Sequence, residues 1–216
     1  MLNKLTHSLL KTVMIMNILA FGLSVTAAEK KEAKSSKKET VAKTESHKVT
    51  GGLQWTGYGV GKSHTGDLKL KSGTIELKGE DIVAGEFVMD MNTISEKSDR
   101  LVTHLKSEDF FDVTKPGNET AKYVITKVEK IAGAKAGEAT HKFFGHLTIK
   151  GKTNPLDFNA IVSKTGTQWK ATGEAEIKDR TKFDIKYHSS QFEAASKLAD
   201  KLIEDNIKIK MDVATE

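Results

Sequence analysis

The sequence contains no cysteine, only two prolines (Pro116 and Pro155) and only two arginines (Arg100 and Arg180). Without cysteine the chain can form no disulfide, carries no lipoprotein attachment site and offers no thiolate to a zinc ion. After residue 48 the sequence shows no internal repeat and no linker-like composition. About 168 residues remain there, which suits one domain with its own core.

The sequence also lacks the common catalytic motifs. Its seven histidines form no HxH or HxxxH pair, and no serine occupies a strand–turn–helix nucleophile elbow. The glycine-rich stretch GYGVG (57–61) lacks the Lys-Ser/Thr of a phosphate loop. Glu108 and Asp109 are adjacent, so their carboxylates diverge. We therefore expect no enzyme and assign no catalytic residue, metal ligand or cofactor.

Residues 1–28 have the layout of a secretory signal peptide. A basic segment with Lys4 and Lys11 precedes the uncharged apolar run TVMIMNILAFGLSV (12–25), and TAAE follows with small residues. The run is short for a bilayer span, which takes roughly 20 residues. We predict cleavage after Ala28 and a periplasmic location. An uncleaved anchor helix is the alternative.

Residues 29–48 are rich in Lys, Glu, Ser and Thr and contain almost nothing to bury, so we predict a disordered tether. A solvated helix is the alternative. The leader and the tether together carry the whole formal charge of +5, which leaves residues 49–216 neutral. The folded part thus lacks the basic excess of a nucleic-acid-binding protein, although the tether can weakly contact an anionic membrane surface.

Alternation of apolar and polar residues dominates residues 49–216 and predicts β-strands. The segments are 67–71, 74–78, 86–91, 121–128, 145–151, 156–162, 171–177 and 206–213. Turn-forming sequences separate them at KSG (71–73), KGED (78–81), KGKTNP (150–155) and KTGTQ (164–168). Strands joined so tightly are antiparallel. With one apolar face each, about eight strands bury that face by closing into a barrel or by folding into a sandwich.

Two segments follow a helical period instead. SDRLVTHLK (98–106) places Leu101 and Leu105 four residues apart, with Ser98 available as N-cap. SQFEAASKLADKLIEDN (190–206) has apolar residues at helical intervals. We predict two short helices at the barrel ends, where each can bury its apolar stripe on exposed core.

The segment HLKSEDFFDV (104–113) follows the first helix and contains Phe110 and Phe111 among three acidic residues. One ring can point into the barrel end while the other packs under the helix. Closure of the core by two aromatic side chains and direct contact with a ligand are both compatible with the sequence.

The order and spacing of GEFVMDMNTI, HLKSEDFFDV, GHLTIKGKTNPLDF, RTKFDIKY and LADKLIEDNIKI resemble the YceI-like family. The resemblance extends from about Trp55 to Val213. It implies a mainly β fold, a lipocalin-like closed antiparallel barrel, in an exported bacterial protein that holds a long isoprenoid or similar lipid in a deep apolar interior. The sequence departs from the family pattern at KPGNET, after FFDV.

Large inward-pointing side chains are the candidates for the lining of such an interior. They are Phe87, Met89, Phe110, Phe111, Tyr123, Ile125, Phe144, Leu147, Ile149, Phe158, Trp169 and Phe183. Methionine and aromatic side chains adapt to an irregular chain. The same side chains can also meet one another and leave no cavity.

His64 and Arg180 are the candidates for a polar mouth that would hold a diphosphate or quinone head group, because arginine matches phosphate with a planar fork. For Arg180 the alternative is a structural ion pair with the adjacent Asp179, and for His64 it is a surface or hydrogen-bonded histidine.

Two functions of different classes follow. The first is an envelope protein that carries or sequesters an apolar small molecule such as a polyisoprenoid, an isoprenoid quinone or another amphiphile. The second is a non-catalytic structural or interaction module with a filled barrel core, which contacts its partner through the tether.

Overall fold

A computed structural model describes residues 43–216 of the chain. Nine strands make up most of this part: β1 (Thr44–Gly59), β2 (Lys62–Lys78), β3 (Asp81–Asp90), β4 (Thr120–Lys130), β5 (His141–Ile149), β6 (Lys152–Pro155), β7 (Phe158–Thr165), β8 (Gln168–Ile177) and β9 (Ile203–Thr215). Helix α1 (Asp99–Lys106) lies between β3 and β4, and α2 (Ala195–Leu198) precedes β9. Three short 3-10 turns cover Met91–Thr93, Arg180–Phe183 and Ala199–Lys201.

Eight strands form a closed antiparallel ring. The neighbours are β4-β3-β2-β1-β9-β8-β7-β5, and β5 pairs with β4 to complete the circle. The short β6 pairs with one half of β5 (His146–Ile149), and β7 takes over beside the other half. The predicted closed barrel of about eight strands is therefore confirmed, and the sandwich is not what the chain forms.

No helix within residues 43–216 is long and apolar enough to cross a membrane.

Three of the four predicted turns are tight hairpins. The two-residue connections centre on Gly79, on Lys150 with Gly151, and on Gly166, all with positive φ. Positive φ values at the turn suit the twist of the flanking strands.

The fourth predicted turn, KSG (71–73), is wrong. β2 runs without a break from Lys62 to Lys78, and Lys71 is an extra residue between the pairs Leu70–Met89 and Ser72–Val88. Because a β-bulge shifts the alternation by one residue, the inward face changes from Leu70 to Gly73 within one strand. The two short strands expected at 67–71 and 74–78 are therefore one long strand.

The boundary of the predicted tether also needs correction. β1 begins at Thr44, and residues 44–48 pair with residues 74–78 of β2. Backbone pairing with a neighbouring strand satisfies the N–H and C=O groups whatever the side-chain polarity, so the polar composition of 44–48 did not prevent a strand. Residues 1–42, which hold the predicted signal peptide and most of the tether, lie outside the described residues.

Of the two predicted helices, the first is confirmed. α1 starts after Ser98, whose hydroxyl oxygen accepts a hydrogen bond from the Leu101 N–H at 3.3 Å. The second is wrong as a helix over 190–206: it shrinks to the single turn α2 and a 3-10 turn. Ala199 has a left-handed φ of +45°, Phe192 stays 54% exposed, and β9 takes the chain from Ile203 onward.

Candidate functional site

The inward-facing side chains pack unevenly around the barrel axis. On β4 and β5 they are fully buried, as at Tyr123 and Leu147. On β1 and β9 the inward-facing Leu53 and Met211 are only partly buried, although they contact the core. β8 contributes the small Ala171 to the same side. Small and partly buried groups therefore leave open space beside β1, β8 and β9, which we call the hollow side, and the buried side chains of β4 and β5 face that space.

The hollow side encloses an apolar cavity of about 110 Å³. An engineered apolar cavity of about 150 Å³ binds one benzene molecule, so the space as it stands holds a few carbons of an alkyl chain. The lining is Val49, Leu53, Leu70, Ile75, Ile82, Phe87, Met89, Tyr123, Ile125, Phe143, Leu147, Leu156, Phe158, Val162, Trp169, Lys170, Ala171, Ala175, Ile209, Met211, Val213, Ala214 and Thr215.

Three aromatic rings form a rigid wall of this cavity. Phe143 stacks on Phe158 with centroids 5.2 Å apart, and Tyr123 lies 5.6 Å from Phe158. The Tyr123 hydroxyl donates a buried hydrogen bond of 3.0 Å to the Leu156 carbonyl. Burial raises the pKa of Tyr123 well above its usual value, and the charge of Asp157 acts in the same direction. The phenol is therefore a neutral, anchored part of an apolar surface.

Half of the predicted site residues line this cavity. They are Phe87, Met89, Tyr123, Ile125, Leu147, Phe158 and Trp169. Ile149 and Phe183 are buried core residues outside its lining; Phe183 belongs to the 3-10 turn Arg180–Phe183.

The prediction that Phe144 points inward is wrong. Alternation counted back from Leu147 places Gly145 and Phe143 inside and Phe144 outside, where the ammonium groups of Lys127 and Lys142 lie 5.4 and 4.7 Å from its ring centroid. The inward neighbour Phe143 was missed, although the period of β5 was sufficient to find it. The alternation of residues 171–177 also placed Ala171 and Ala175 on the apolar face of their strand, but the predicted lining was limited to large side chains and left them out.

A second cavity of about 310 Å³ lies at the end of the barrel beside α1. It follows the first cavity along β1 and β9: Leu53 and Ile209 line the first, whereas Trp55 and Ile207 line the second. The remaining lining is Gly57, Tyr58, Gly59, Lys62, His64, Leu101, His104, Leu105, Phe110, Phe111, Arg180, Ile185, Tyr187, His188, Lys201, Ile203, Glu204 and Asn206. This cavity is more polar than the first.

Both phenylalanines of HLKSEDFFDV line the second cavity. Phe110 is buried, and Phe111 is half-buried against the core. The His104 ring meets Phe110 edge-on at 5.0 Å, and its Nε2 lies 2.9 Å from an Asp109 carboxylate oxygen. The pair therefore closes the core and also faces a cavity, while Asp109 remains on the solvent side.

Trp55 lines the second cavity, next along β1 to Leu53, which lines the first. A Cβ at Gly66, its partner across β1 and β2, would lie 2.9 Å from the indole Nε1 and would overlap the Ser95 carbonyl oxygen. Glycine at this position thus lets the indole ring and the segment before α1 meet inside the wall.

Arg180 has a structural role and does not form the predicted polar mouth. Its side chain is 2% exposed, and its guanidinium donates to the carbonyl oxygens of Ile185, Tyr187, Ile203 and Glu204 at 2.8 to 3.1 Å. Burial and four backbone acceptors give the guanidinium a structural role in place of the predicted head-group contact.

Asp205, at 3.5 Å, is the ionic partner of Arg180. Asp179, the partner considered from the sequence, instead accepts hydrogen bonds from Thr181 and Gln191. Burial lowers the pKa of Arg180, and the charge of Asp205 opposes that shift. The guanidinium therefore ties the segment after the Arg180–Phe183 turn to the start of β9.

His64 does lie at the second cavity. Its side chain is 41% exposed, and its Nδ1 is 3.4 Å from Oε1 of Glu96, whose side chain is only 2% exposed. The other oxygen of Glu96 accepts the Ser98 N–H at 2.6 Å. That hydrogen bond holds the pKa of Glu96 below its usual value, with help from His64, while burial opposes the shift. His64 is thus the one predicted polar residue that a ligand in this cavity can reach.

Within residues 43–216, no group of three or more His, Cys, Asp or Glu side chains is placed to hold a metal ion.

Comparison with known proteins places these observations in a family. A family described as the YceI-like domain matches residues 30–215. The crystal structure of BcnA from Burkholderia cenocepacia superposes with a TM-score of 0.60 at 18% identity, covering 76% of this chain and 96% of that one. A polyisoprenoid binding domain from Saccharophagus degradans gives 0.58 at 13% identity, covering 79% and 97%. At these identities the likeness shows a shared fold. A comparison with curated proteins finds no match.

Proposed function

Because this chain belongs to the YceI-like family, we propose that it is a non-catalytic binding protein that holds one long apolar molecule, an isoprenoid or similar lipid, inside its barrel. The observation that carries the proposal is the apolar cavity on the hollow side of the barrel. Further support comes from the polyisoprenoid binding domain that shares the fold.

The free energy of binding sets a minimum number of carbon atoms that the ligand must bury. Each buried CH₂ contributes about 0.8 kcal/mol, and association costs at least about 4 kcal/mol. Micromolar binding corresponds to about −8 kcal/mol, so on the order of fifteen carbons must be buried. The 110 Å³ of the first cavity is too small for that number, and the ligand must use more of the barrel.

The second cavity supplies the additional space. Along β1 and β9 it follows the first, with Leu53 and Ile209 in the first lining and Trp55 and Ile207 in the second. A chain that displaces the indole ring and the flexible Met89 and Met211 side chains can run through both. Its polar end then lies near His64, which is partly exposed and paired with a buried carboxylate.

Carriage or sequestration in the cell envelope is the biological role within this proposal. Its support is the export layout of residues 1–28, with periplasmic delivery after cleavage at Ala28. Fractionation of the native host, with mass spectrometry of the mature N-terminus, checks this part independently of ligand binding.

The direct test is to purify the full protein from its native host, extract it with organic solvent and analyse the extract by mass spectrometry. We expect one apolar molecule per protein, with a chain of at least about fifteen carbons. A matched extract of the Ala171→Phe variant, in which the added ring occupies the first cavity, should lack it. A wild-type extract without any stoichiometric apolar molecule would falsify the proposal and would favour a structural module with a filled core.

A further inference from the structure

Within the described residues the barrel wall has a wide interruption between β1 and β2, and another between β1 and β9, where Tyr58 faces residues 204–206 and the Arg180 guanidinium binds the Glu204 carbonyl. Lys48 pairs with Thr74 and Gly52 pairs with Lys69, but residues 49–51 and residues 70–73 between them form no β1–β2 pairs. We call this the β1–β2 gap. The two register shifts between β2 and β3 and the one between β4 and β5 each skip a single residue on one strand. The β1–β2 gap leaves three residues opposite four.

The gap is fixed by the other neighbours of the two strands. Val49, Thr50 and Gly51 pair with residues 213–215 of β9. On the other lip, Ser72 and Gly73 pair with residues 87–88 of β3. Each lip is therefore anchored from behind, and the interruption cannot close by a simple slip of register.

The spaces on the two sides of the gap share lining residues, and the two lips meet at Val49 and Gly73, where a Cβ on Gly73 would lie 2.9 Å from the Val49 carbonyl oxygen. An external groove of about 1010 Å³ lies over the gap. Val49, Leu53, Leu70 and Met211 line both this groove and the apolar cavity. The second cavity shares no residue with the groove, so the gap leads to the apolar cavity itself.

The end of the barrel beside α1 is held closed by packing and hydrogen bonds. Phe110 is buried beside α1, and Trp55 lines this end of the barrel. The segment that follows the Arg180–Phe183 turn is tied to β9 by the buried guanidinium. Opening this end breaks several hydrogen bonds, whereas the β1–β2 gap has no ladder bonds between its lips to break.

We infer that the β1–β2 gap is a lateral portal through which an apolar chain enters and leaves the barrel. The inference rests on the proposed function, because it assigns the route to the same cavity. A side entrance admits the middle of a long chain without drawing a polar end through the apolar interior, which would cost the desolvation of that end.

The test uses the absence of native cysteine. Thr50→Cys places a single thiol on an exposed position in the middle of one lip. Modification with a bulky methanethiosulfonate reagent covers the gap, and a reductant removes the group again. The readouts are stopped-flow association and dissociation rates of the apolar fluorescent probe N-phenyl-1-naphthylamine. Ser163→Cys, exposed on β7 across the ring, carries the same group as control.

A blocked route raises the barrier in both directions equally. We expect modified Thr50→Cys to slow association and dissociation at least tenfold with an unchanged Kd, and reductant to restore both rates. Ser72→Cys on the opposite lip should behave in the same way, and modified Ser163→Cys should match wild type.

Three results overturn the inference, and they separate it from the proposed function. If the modified variants bind the probe at wild-type rates, the portal is wrong and the proposed function stands. Loss of affinity without slower dissociation also refutes the portal, because the reagent then acts on the site and not on the route. If unmodified wild-type protein fails to bind the probe, the proposed function and the portal both fall.

Discussion

Phe143 and Phe144 are consecutive residues of β5 that lie on opposite sides of the barrel wall. The Phe143 ring stacks on Phe158 inside, with planes 15° apart, whereas the Phe144 ring lies outside beneath two lysine ammonium groups. The same residue type therefore has two different roles within one step of the chain.

This pair gives a matched test of the barrel register. Phe143→Ala removes a buried ring from the cavity wall and should lower the free energy of unfolding by about 3–5 kcal/mol. Phe144→Ala removes only surface contacts and should cost less than about 1 kcal/mol. Urea unfolding of both variants measures the difference. Equal losses would show that the register of β5 is different from the one described.

The hollow side of the barrel predicts a variant that blocks binding while the fold persists. Ala171→Phe places a ring in the apolar cavity that Ala171 lines. We expect N-phenyl-1-naphthylamine to bind at least tenfold more weakly, since filled space no longer accepts apolar groups, with a change in stability within about 3 kcal/mol. Fluorescence titration gives the affinity. Ser163→Phe adds the same ring to the outer face of β7 and should bind the probe like wild type; an equal loss in both variants contradicts the assignment.

Arg180 predicts a large loss of stability from a conservative change. Lysine carries a compact ammonium that cannot reach four carbonyl oxygens and Asp205 together. Arg180→Lys should therefore leave buried acceptors unpaired and destabilise the protein by about 3–5 kcal/mol. Arg100→Lys, at an exposed position on α1, is the matched control and should change stability by less than about 0.5 kcal/mol. Similar unfolding midpoints for the two variants would refute the structural role of the guanidinium.

Glu96 predicts a pH-dependent contribution to stability. Its folded-state pKa is held below the usual value of 4.5, so the folded protein binds the proton less readily than the unfolded chain does. The stabilisation is then fully present above about pH 4.5 and is lost as the pH falls through the lower folded-state value. Glu96→Gln should be less stable than wild type at pH 7, and the difference should shrink below pH 4.5. Urea unfolding at pH 7, 5 and 3.5 measures it; a difference that is constant with pH would argue against an ionised Glu96 beside Ser98 and His64.

The alternation of apolar residues was enough to predict strands, and the short turns predicted their antiparallel order, but the residues left barrel and sandwich both open and the family resemblance indicated the closed barrel. The information in the alternation and the turns is local, because each strand presents one face to the core and each tight turn has its own residue signature. The start of α1 was also predictable from local sequence, since the capping side chain of Ser98 accepts a hydrogen bond from a backbone N–H only three residues away. The inward position of Phe143 could also have been predicted by counting back from Leu147 in steps of two along β5.

Other features depended on contacts between distant residues, which only the tertiary structure decided. Lys71 reads equally well as a turn or as a bulge, and the partner strand β3 selects the bulge. Arg180 reads as a phosphate donor or as an anchor, and four carbonyls from two segments select the anchor. The hollow side arises because the small Ala171 of β8 and the partly buried Met211 of β9 face the same space. The gap arises because three residues of β1 lie opposite four residues of β2 between two paired stretches. Each of these features depends on contacts between segments that are far apart in the sequence, so no single segment predicts it.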